Sequence, residues 1–549
     1  MGRKIVLAAS RSESSEYLRS TWRQMLLATL PSNYLRLVNT DPHLDNETRA
    51  DGQALYVPNG LRVIESLLLG RFAPEDIAVC YPDQLAQFVG PETRVVGLHA
   101  HNPLGITFAT DIYAQFFGRS QQPMNAAEFQ HLIEHPALAA HRNHFKLIVG
   151  GPGAWQLERS HKLDPWHVDC LVDGEGEDCA LDLFERAVRG EPLPRKVSAH
   201  SPNPSVIPRL RHRSTFGVVE VTRGCGRGCQ FCSIALRHGA SLPLDHILDN
   251  VRVQVAEGAD TILVTTEDLF LYEQGPRFRT NGAALEKMLR AVAAVEGVKH
   301  VVVTHGTMAP VVRDPDVIER LSPVAVDLSI HQHQLSTHPD HRFAMLFIGL
   351  ETGSPRLFEQ FMKGKSYPYK PQQWPEVVLK GMQILNRQHW FPFCTWITGL
   401  PGETREDTKQ SLDLLYALKD ARWCPVPTLF VPLEDTRMGR HAAAQAPRLT
   451  DLQWEFFFTC WRYNLDFFRN TPVIQWRFHV GVPLYYCLLG HRTFGPNIKY
   501  PLLRLGHFPE RWLRRHLYLD FHRMPPPIIT VPDVVPIPEH ASRPAIPAA

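Results

Sequence analysis

The sequence predicts an α/β protein with two successive parallel sheets and a helical C-terminal region, and three observations carry that reading. Short apolar runs recur at Ile5 to Ser10, Ile77 to Cys80, Val95 to Leu98 and Lys146 to Val149, separated by helix-length segments. Strands that alternate with helices pair in parallel and take helices on both faces, which makes a doubly wound, Rossmann-like sheet. A second series runs through Phe216 to Thr222, Thr261 to Thr265, His300 to Thr304, Met345 to Leu350, Cys394 to Thr398 and Thr428 to Val431, again with helices between. Between the two series, Pro194 to Pro208 is rich in Pro, Ser and Arg, the composition of a connector.

In chain order, Ile5 to Ser10 is expected as a buried strand, and Leu61, Ile64, Leu67 and Leu68 recur at helical spacing after the Pro58-Asn59-Gly60 break. The boundaries that follow are a first domain over 1–193, a linker over 194–214 and a second domain over 215–440. An aromatic, helix-prone domain over 441–523 and a Pro-rich tail over 524–549, too poor in packing residues to fold, complete the chain. A chain of 549 residues exceeds a single core and has material to enclose a cofactor. Ligands of doubly wound sheets sit beyond the carboxyl ends of the strands. Here those ends carry His99-Ala100-His101-Asn102-Pro103-Leu104-Gly105, Gly150-Gly151-Pro152-Gly153-Ala154 and Asp173-Gly174-Glu175-Gly176-Glu177.

Composition narrows the classes. A hydrophobic fraction of 44% and a charged fraction of 21% are those of a folded globular protein, and a net charge of +2 exerts no global pull on nucleic acid. Met1 to Ser10 has no small-residue cleavage site after it, and no run approaches the ~18 apolar residues of a membrane span. Cys80, Cys170, Cys179, Cys394, Cys424, Cys460 and Cys487 are scattered, mostly in apolar stretches, as core residues of a protein in a reducing cytoplasm would be.

The remaining cysteines are not scattered. Gly224-Cys225-Gly226-Arg227-Gly228-Cys229-Gln230-Phe231-Cys232 follows the mostly β-branched run Val218 to Thr222. A Gly-rich loop at a strand end can wrap three thiolates around one face of an iron–sulfur cluster, leaving one iron without cysteine. The rival is a structural zinc site completed by His238, but zinc ligands usually come as two close pairs rather than one tight triplet. The C-x3-C-x2-C spacing with an aromatic before the last Cys resembles the radical S-adenosylmethionine (SAM) superfamily. That resemblance implies a partial (β/α)6 TIM-like barrel for 215–440 and a 4Fe-4S cluster held by Cys225, Cys229 and Cys232. It also implies that the open iron chelates S-adenosylmethionine and that one electron cleaves the sulfonium to a 5'-deoxyadenosyl radical.

The same resemblance assigns the cofactor's other contacts. Phe231 would pack near the adenine. Thr265-Thr266-Glu267-Asp268 ends the second strand, where Glu267 and Asp268 would accept hydrogen bonds from the methionine ammonium, the alternative being a plain helix cap. Gly349-Leu350-Glu351-Thr352-Gly353-Ser354 looks like the ribose-binding element, with Glu351 on the two hydroxyls and Ser354 beside it. Ile397-Thr398-Gly399-Leu400-Pro401-Gly402-Glu403-Thr404 would border the adenine through Ile397 and the Gly399 backbone, and Glu403 either joins them or begins the next helix.

Strand, Gly-Gly loop and then Val-Asp-x-x-Val-x-Gly-Glu-Gly-Glu over Val168 to Glu177 resemble the cobalamin-binding domain that precedes many radical SAM enzymes. The resemblance implies cobalamin contacts from His101, Asn102, Gly105, Gly150, Gly151, Gly153, Gly174 and Glu175. No Asp-x-His-x-x-Gly follows the first strand, so neither His99 nor His101 is assigned as a lower axial ligand, and cobalt is expected to have water or no protein atom below it. A domain that keeps the fold without the cofactor stays open.

His331, His333, His338 and His341 read as a solvated loop, lacking Cys or acid partners at fixed spacing. Trp454, Phe456, Phe457, Phe458, Trp461, Tyr463, Phe467 and Phe468 put aromatics on every helix face, which predicts burial, read as a cap over the active site. Over Pro509 to Arg523, Trp512, Leu513, Leu517, Leu519 and Phe521 alternate with Arg511, Arg514, Arg515 and Arg523, as in a domain helix with Arg outside or a helix lying on an anionic membrane surface. The function expected by resemblance is cobalamin-dependent methyl transfer to an unactivated carbon. The rivals are radical carbon–carbon bond or ring formation on an apolar lipid or pigment, and a zinc-stabilised binding module. Expected partners are a small-molecule or lipid substrate and a reductant such as flavodoxin or ferredoxin, with no nucleic acid, in the cytoplasm with at most peripheral membrane contact.

Overall fold

The computed structural model describes residues 2–17, 24, 32, 47–107, 110, 122–199, 203–237, 239–330, 343–433 and 436–468. His238, the His331, His333, His338 and His341 group, the Pro509 to Arg523 run and the Pro-rich tail lie outside the described residues.

The first sheet has six strands: β1 (Ile5–Ala9), β2 (Ile77–Cys80), β3 (Val95–His99), β4 (Lys146–Gly150), β5 (Cys170–Asp173) and β6 (Lys196–Ser198). All pair in parallel in the order β2-β1-β3-β4-β5-β6. β1 is apolar throughout because its side chains feed two cores. Val6 and Ala8 meet Phe129 and Leu132 on one face, while Ile5, Leu7 and Ala9 meet Leu61, Leu68, Leu183 and Phe184 on the other. The last two strands were not among the expected runs. β5 lies inside the stretch read as a ligand loop, and β6 takes residues from the expected linker, because a short edge strand with a charged first residue carries little apolar signal. Strand order reverses between β1 and β3, the switch point at which such sheets bind ligands.

The second domain holds β7 (Val218–Glu220), β8 (Thr222–Arg223), β9 (Ala240–Ser241), β10 (Thr261–Thr265), β11 (His300–Val303), β12 (His305–Gly306), β13 (Ala344–Glu351), β14 (Trp390–Thr398) and β15 (Cys424–Leu429). β8 and β9 form a small antiparallel pair beside the cysteine loop. The others make two parallel sheets, β11-β10-β7 and β12-β13-β14-β15, which are one six-position arc whose third strand breaks at Thr304. Thr304 stitches the break: its Oγ1 donates to the Thr266 carbonyl at 3.1 Å, and its own carbonyl accepts the Phe347 N–H at 2.8 Å. The expected barrel is therefore present, with strand ends that differ. Phe216 sits at φ 61 in a turn before β7. β15 begins at Cys424 rather than Thr428, because Pro425 and Pro427 disguise it, and prolines are tolerated where a strand pairs on one edge only.

Alternation sorts the arc's two faces. Ala344, Leu346, Ile348, Leu350, Cys394 and Trp396 pack outward against Phe358, Trp374 and Val377 of the surrounding helices. Met345, Phe347, Phe391, Phe393, Cys424 and Val426 form a separate cluster on the inner face. The helix Asp451–Phe468 corrects one expectation. Phe456 meets Trp396 edge-to-face at 5.2 Å, and Asn464 Nδ2 donates to the Pro425 carbonyl at 2.7 Å. Its described part thus seals the outside of the last strands rather than capping the mouth. Among the described residues no helix is long and apolar enough to cross a membrane.

Candidate functional site

The cysteine loop is moulded by backbone. Gly224, Gly226 and Gly228 all sit at positive φ, between 72° and 77°, which lets the chain reverse around each cysteine without a Cβ clash. The Gly228 N–H donates to the Ala235 carbonyl at 2.9 Å, and the Gln230 N–H to the Phe361 carbonyl at 2.9 Å. Arg227 is 1% exposed and binds Asp268 through Nε at 3.1 Å and Nη2 at 2.9 Å, with its guanidinium 4.9 Å from the Phe278 ring centroid. Asp268 thereby clamps the loop to the end of β10. It is 0% exposed, and its remaining contacts are Thr307 Oγ1 at 2.8 Å and the Phe270 N–H at 3.2 Å. That corrects its expected place on a ligand ammonium: every lone pair it could offer faces protein.

Burial pushes the Cys225 thiol up to about 11 and Cys229 to about 12, and raises Cys232 as well. Thiols so held keep their protons until an electropositive centre displaces them. Among the described residues no three His, Cys, Asp or Glu side chains close around a single metal ion. Thiolates of a multi-iron cluster bind at separate corners, which three cysteines on one loop can supply, while His238 of the zinc alternative lies outside the described residues.

Beside the triad is a buried pair that sequence reasoning missed in part. Lys365 Nζ donates to Glu351 Oε1 at 2.6 Å, and Thr395 Oγ1 donates to Oε2 at 3.3 Å. Burial opposes the Lys365 charge, but Glu351 and Cys229 outweigh it and raise its pKa. The approach is close. A Cβ on Gly349 would fall 1.8 Å from Glu351 Oε1, and one on Gly364 would fall 2.0 Å from the Arg227 carbonyl. Glu351 is at the expected strand end, with φ 67, but one oxygen is already held by lysine. A lysine in a Lys-Gly-Lys turn reads as surface, and nothing local in the sequence marks it.

Glu267 is the site's unbalanced group. Its Oε2 is buried with no hydrogen-bond partner, and burial, then the neighbouring Glu220, push its pKa up to about 7. Glu220 and Glu177 gather on Arg223, at 2.7 and 2.6 Å, with Glu175 at 3.2 Å. Glu175 also accepts from Arg237 at 2.6 Å. These contacts cross between the domains, so the loop after β5 docks on the strand that leads into the cysteines. At the other end, Arg159 Nη1 donates to the Pro432 carbonyl beyond β15 at 3.3 Å. The carboxyl ends of the two sheets face each other across the cysteine loop.

Other expected contacts change role. Ser354 is fully buried, donates to Asp407 Oδ1 at 2.5 Å and caps the helix Pro355–Met362, so it is not free for a ligand. The Gly399 N–H is held by Glu403 Oε2 at 2.5 Å, which settles Glu403 as a brace of that turn. Ile397 and Phe231 remain half-buried against the core. In the first domain Asn102 is spent on Thr110 Oγ1 at 2.8 Å and Gln156 Nε2 at 3.0 Å. A Cβ on Gly105, Gly151, Gly153 or Gly174 would strike the protein itself at 2.4, 2.8, 2.1 and 2.4 Å, so those glycines serve loop packing. Gly150 has ordinary clearance, and His101 is exposed. Glu13, in the unread loop after β1, accepts from His99 Nδ1 at 2.7 Å and from the His101 N–H at 3.1 Å.

The model of the radical SAM superfamily matches residues 219–415. A tRNA-2-methylthio-N(6)-dimethylallyladenosine synthase of Bifidobacterium longum is 26% identical over 316 residues, covering 56% of this chain and 58% of that protein. A ribosomal protein uS12 methylthiotransferase RimO of Acidithiobacillus ferrooxidans is 27% identical over 227 residues, covering 40% and 46%. The chain thus spans about half the length of the curated relatives it matches. The radical SAM methyltransferase TsrM of Kitasatospora setae, solved with cobalamin and a [4Fe-4S] cluster bound, superposes with a TM-score of 0.52 at 14% identity, covering 80% of this chain and 77% of that one. At that identity the likeness establishes a shared fold, doubly wound domain and barrel together. The cysteine loop and the six-position arc both lie in or beside residues 219–415, the part of the chain that is similar to the radical SAM superfamily.

Proposed function

We propose that this protein is a 4Fe-4S radical SAM enzyme that moves a methyl group from cobalamin to an unactivated carbon. One observation carries the reading: the loop after β5 meets the cysteine-bearing strand through Arg223, so the first domain's ligand-binding end opens onto the barrel mouth. When bound, the cluster and S-adenosylmethionine supply one-electron cleavage of a sulfonium, and cobalamin supplies a transferable methyl.

The chain's own residues do the rest. Cys225, Cys229 and Cys232 hold the cluster, and the Arg227–Asp268 clamp fixes their loop. Glu267 takes a ligand ammonium, because a buried, unpartnered carboxylate gains most from a cation. Glu351, oriented by Lys365 and braced by Thr395, would take the ribose hydroxyls. Supports for cobalamin are the fold, the switch point between β1 and β3, and the exposed His101. The packed glycines do not add to that case. A flavodoxin or ferredoxin would supply the electron.

The test is anaerobic reconstitution with about four irons and matching sulfide per chain. Incubation with methyl-deuterated S-adenosylmethionine and a strong reductant should yield 5'-deoxyadenosine together with S-adenosylhomocysteine, and purified protein should carry corrin absorbance. Methylthio transfer, the activity named for the curated relatives, is the second reading; products heavier by a methylthio group would select it. Deoxyadenosine without S-adenosylhomocysteine would select bond or ring formation.

A further inference from the structure

The resemblance places Glu175 on cobalamin, but both oxygens of its carboxylate are spent on the barrel domain. Oε1 accepts from Arg237 Nη1 at 2.6 Å, and Oε2 accepts from Arg223 Nη1 at 3.2 Å. Arg223 stands two residues before Cys225 and Arg237 five after Cys232, so one carboxylate spans the two ends of the cysteine loop. The rest of that loop is held in other ways. Its tip is tied to the barrel through Arg227 and Asp268, and its neck is closed by the β8–β9 pair, where Thr222 faces Ser241 and Arg223 faces Ala240. A ladder of two residues a side is a weak closure. Guanidinium–carboxylate hydrogen bonds are about twice as strong as neutral ones, and none of these three side chains is more than a third exposed. The Gly-Glu-Gly motif explains the reach. Gly174 sits at φ 110, and a Cβ there would lie 2.4 Å from the Ala199 carbonyl oxygen, so the turn that carries Glu175 to the arginines requires glycine. Glu177 differs: it accepts from Arg223 at 2.6 Å, an arginine that Glu220 also holds through two bonds of 2.7 Å, and so grips one end of the loop.

We propose that Glu175 is a positioning residue for the cluster: by holding Arg223 and Arg237 at once, the first domain closes the neck of the cysteine loop and sets the spacing of its three thiols. This rests on the reading of Cys225, Cys229 and Cys232 as cluster ligands, and it gives the first domain a task beyond any ligand of its own. A loop closed before the metal arrives loses less chain entropy on binding it, so the bridge favours uptake and retention of iron. Docking of the two domains and readiness of the loop become one event, because the same carboxylate serves both.

The test compares full-length wild type with Glu175→Ala, Arg237→Ala, Glu177→Ala and the double change Glu175→Ala with Arg237→Ala. In cluster-free protein, hydrogen–deuterium exchange over residues 224–237 should quicken about tenfold or more in Glu175→Ala, the loss of a charge-assisted hydrogen bond. Unchanged protection of β13 and β14 reports that the barrel has folded. Arg237→Ala should act in the same direction, and the double change should exchange no faster than Glu175→Ala, since both remove one contact. Glu177→Ala should have the smaller effect, because the bridge remains. After anaerobic loading, a ferrous chelator should strip iron faster from Glu175→Ala and Arg237→Ala than from wild type. The electron paramagnetic resonance spectrum of the reduced cluster should change in those two variants and not in Glu177→Ala. Wild-type exchange, iron retention or spectrum in Glu175→Ala overturns the proposal, as do additive effects in the double change. Equal effects from Glu177→Ala overturn it too, since Glu175 would then be one of several docking contacts. If wild type never loads iron while the exchange pattern stands, the cluster reading falls and the bridge across the loop survives.

Discussion

The two mouths that face each other in this molecule are finished to different degrees. At the carboxyl ends of β1 and β3, the carboxylate and amide groups close on one another, Glu13 shared between His99 and the His101 N–H and Asn102 sitting between Thr110 and Gln156, with the Ser14 hydroxyl left over. At the barrel mouth the account does not close. Glu267 has a buried oxygen with no partner, Arg227 keeps a buried Nη1 unpaired, and three thiols are held protonated by burial. Buried polar groups are normally satisfied, so an unpaired carboxylate oxygen beside three buried thiols is a candidate for a charged partner. The difference teaches that loop position selects candidates, while incomplete electrostatics picks among them.

The largest effect should come from the thiols. Cys229→Ala leaves two ligands for a cluster that needs three, and we expect iron content and deoxyadenosine formation to fall to background. A variant with full iron and activity would remove the barrel mouth from the comparison. Next comes the Lys365–Glu351 pair, 10% and 8% exposed. Lys365→Met strands a buried carboxylate and should cost about 3–5 kcal/mol of unfolding free energy in urea, while the double change with Glu351→Leu should recover most of it. A loss below about 1 kcal/mol would mean that the pair is reached by water.

Glu267 sharpens the contrast through pH. Its carboxyl is raised from 4.5 to about 7 without a cation, so in the ligand-free protein it opposes folding above pH 7, and that penalty disappears as pH falls toward 4.5. Ligand binding has the opposite sign, because only the ionised form attracts an ammonium. S-adenosylmethionine affinity should therefore weaken as pH drops through about 7. Glu267→Gln should lose about tenfold or more in affinity, become independent of pH in that range, and unfold no more easily than wild type at pH 8. Equal affinity in wild type and variant would show that the unpaired oxygen is not a ligand site.

Much of this was legible in the sequence. Period, length and turn residues exposed the strands with strong apolar runs, and the cysteine spacing exposed the cluster loop. β6 and β15 were hidden or shifted, one by its charge and shortness and one by Pro425 and Pro427. The site's second layer was illegible for a different reason. Asp268 and Ser354 stand in the right loops, but whether an acid or hydroxyl faces a ligand or a neighbouring Arg227 or Asp407 depends on partners 41 and 53 residues away. Lys365 and Glu13 carry no local mark at all, since their meaning comes from who lies opposite.

The smallest expected effect tests the other mouth. Burial alone would raise the Glu13 carboxyl, but the hydrogen bond and charge of His99, with the His101 N–H, outweigh it and hold its pKa below 4.5. A depressed carboxyl adds stability that is present above pH 4.5 and lost as pH falls through the folded value. Glu13→Gln should cost about 1–2 kcal/mol at pH 7, a deficit that shrinks on acidification, as read by denaturant unfolding across pH. If the first mouth is as self-sufficient as its bonds indicate, corrin absorbance per chain should not change beyond that stability loss. If the variant stays folded and sheds its corrin, the Glu13–His99–His101 set is itself a ligand site, satisfied internally only until the ligand arrives, and completeness of hydrogen bonding no longer separates the two mouths.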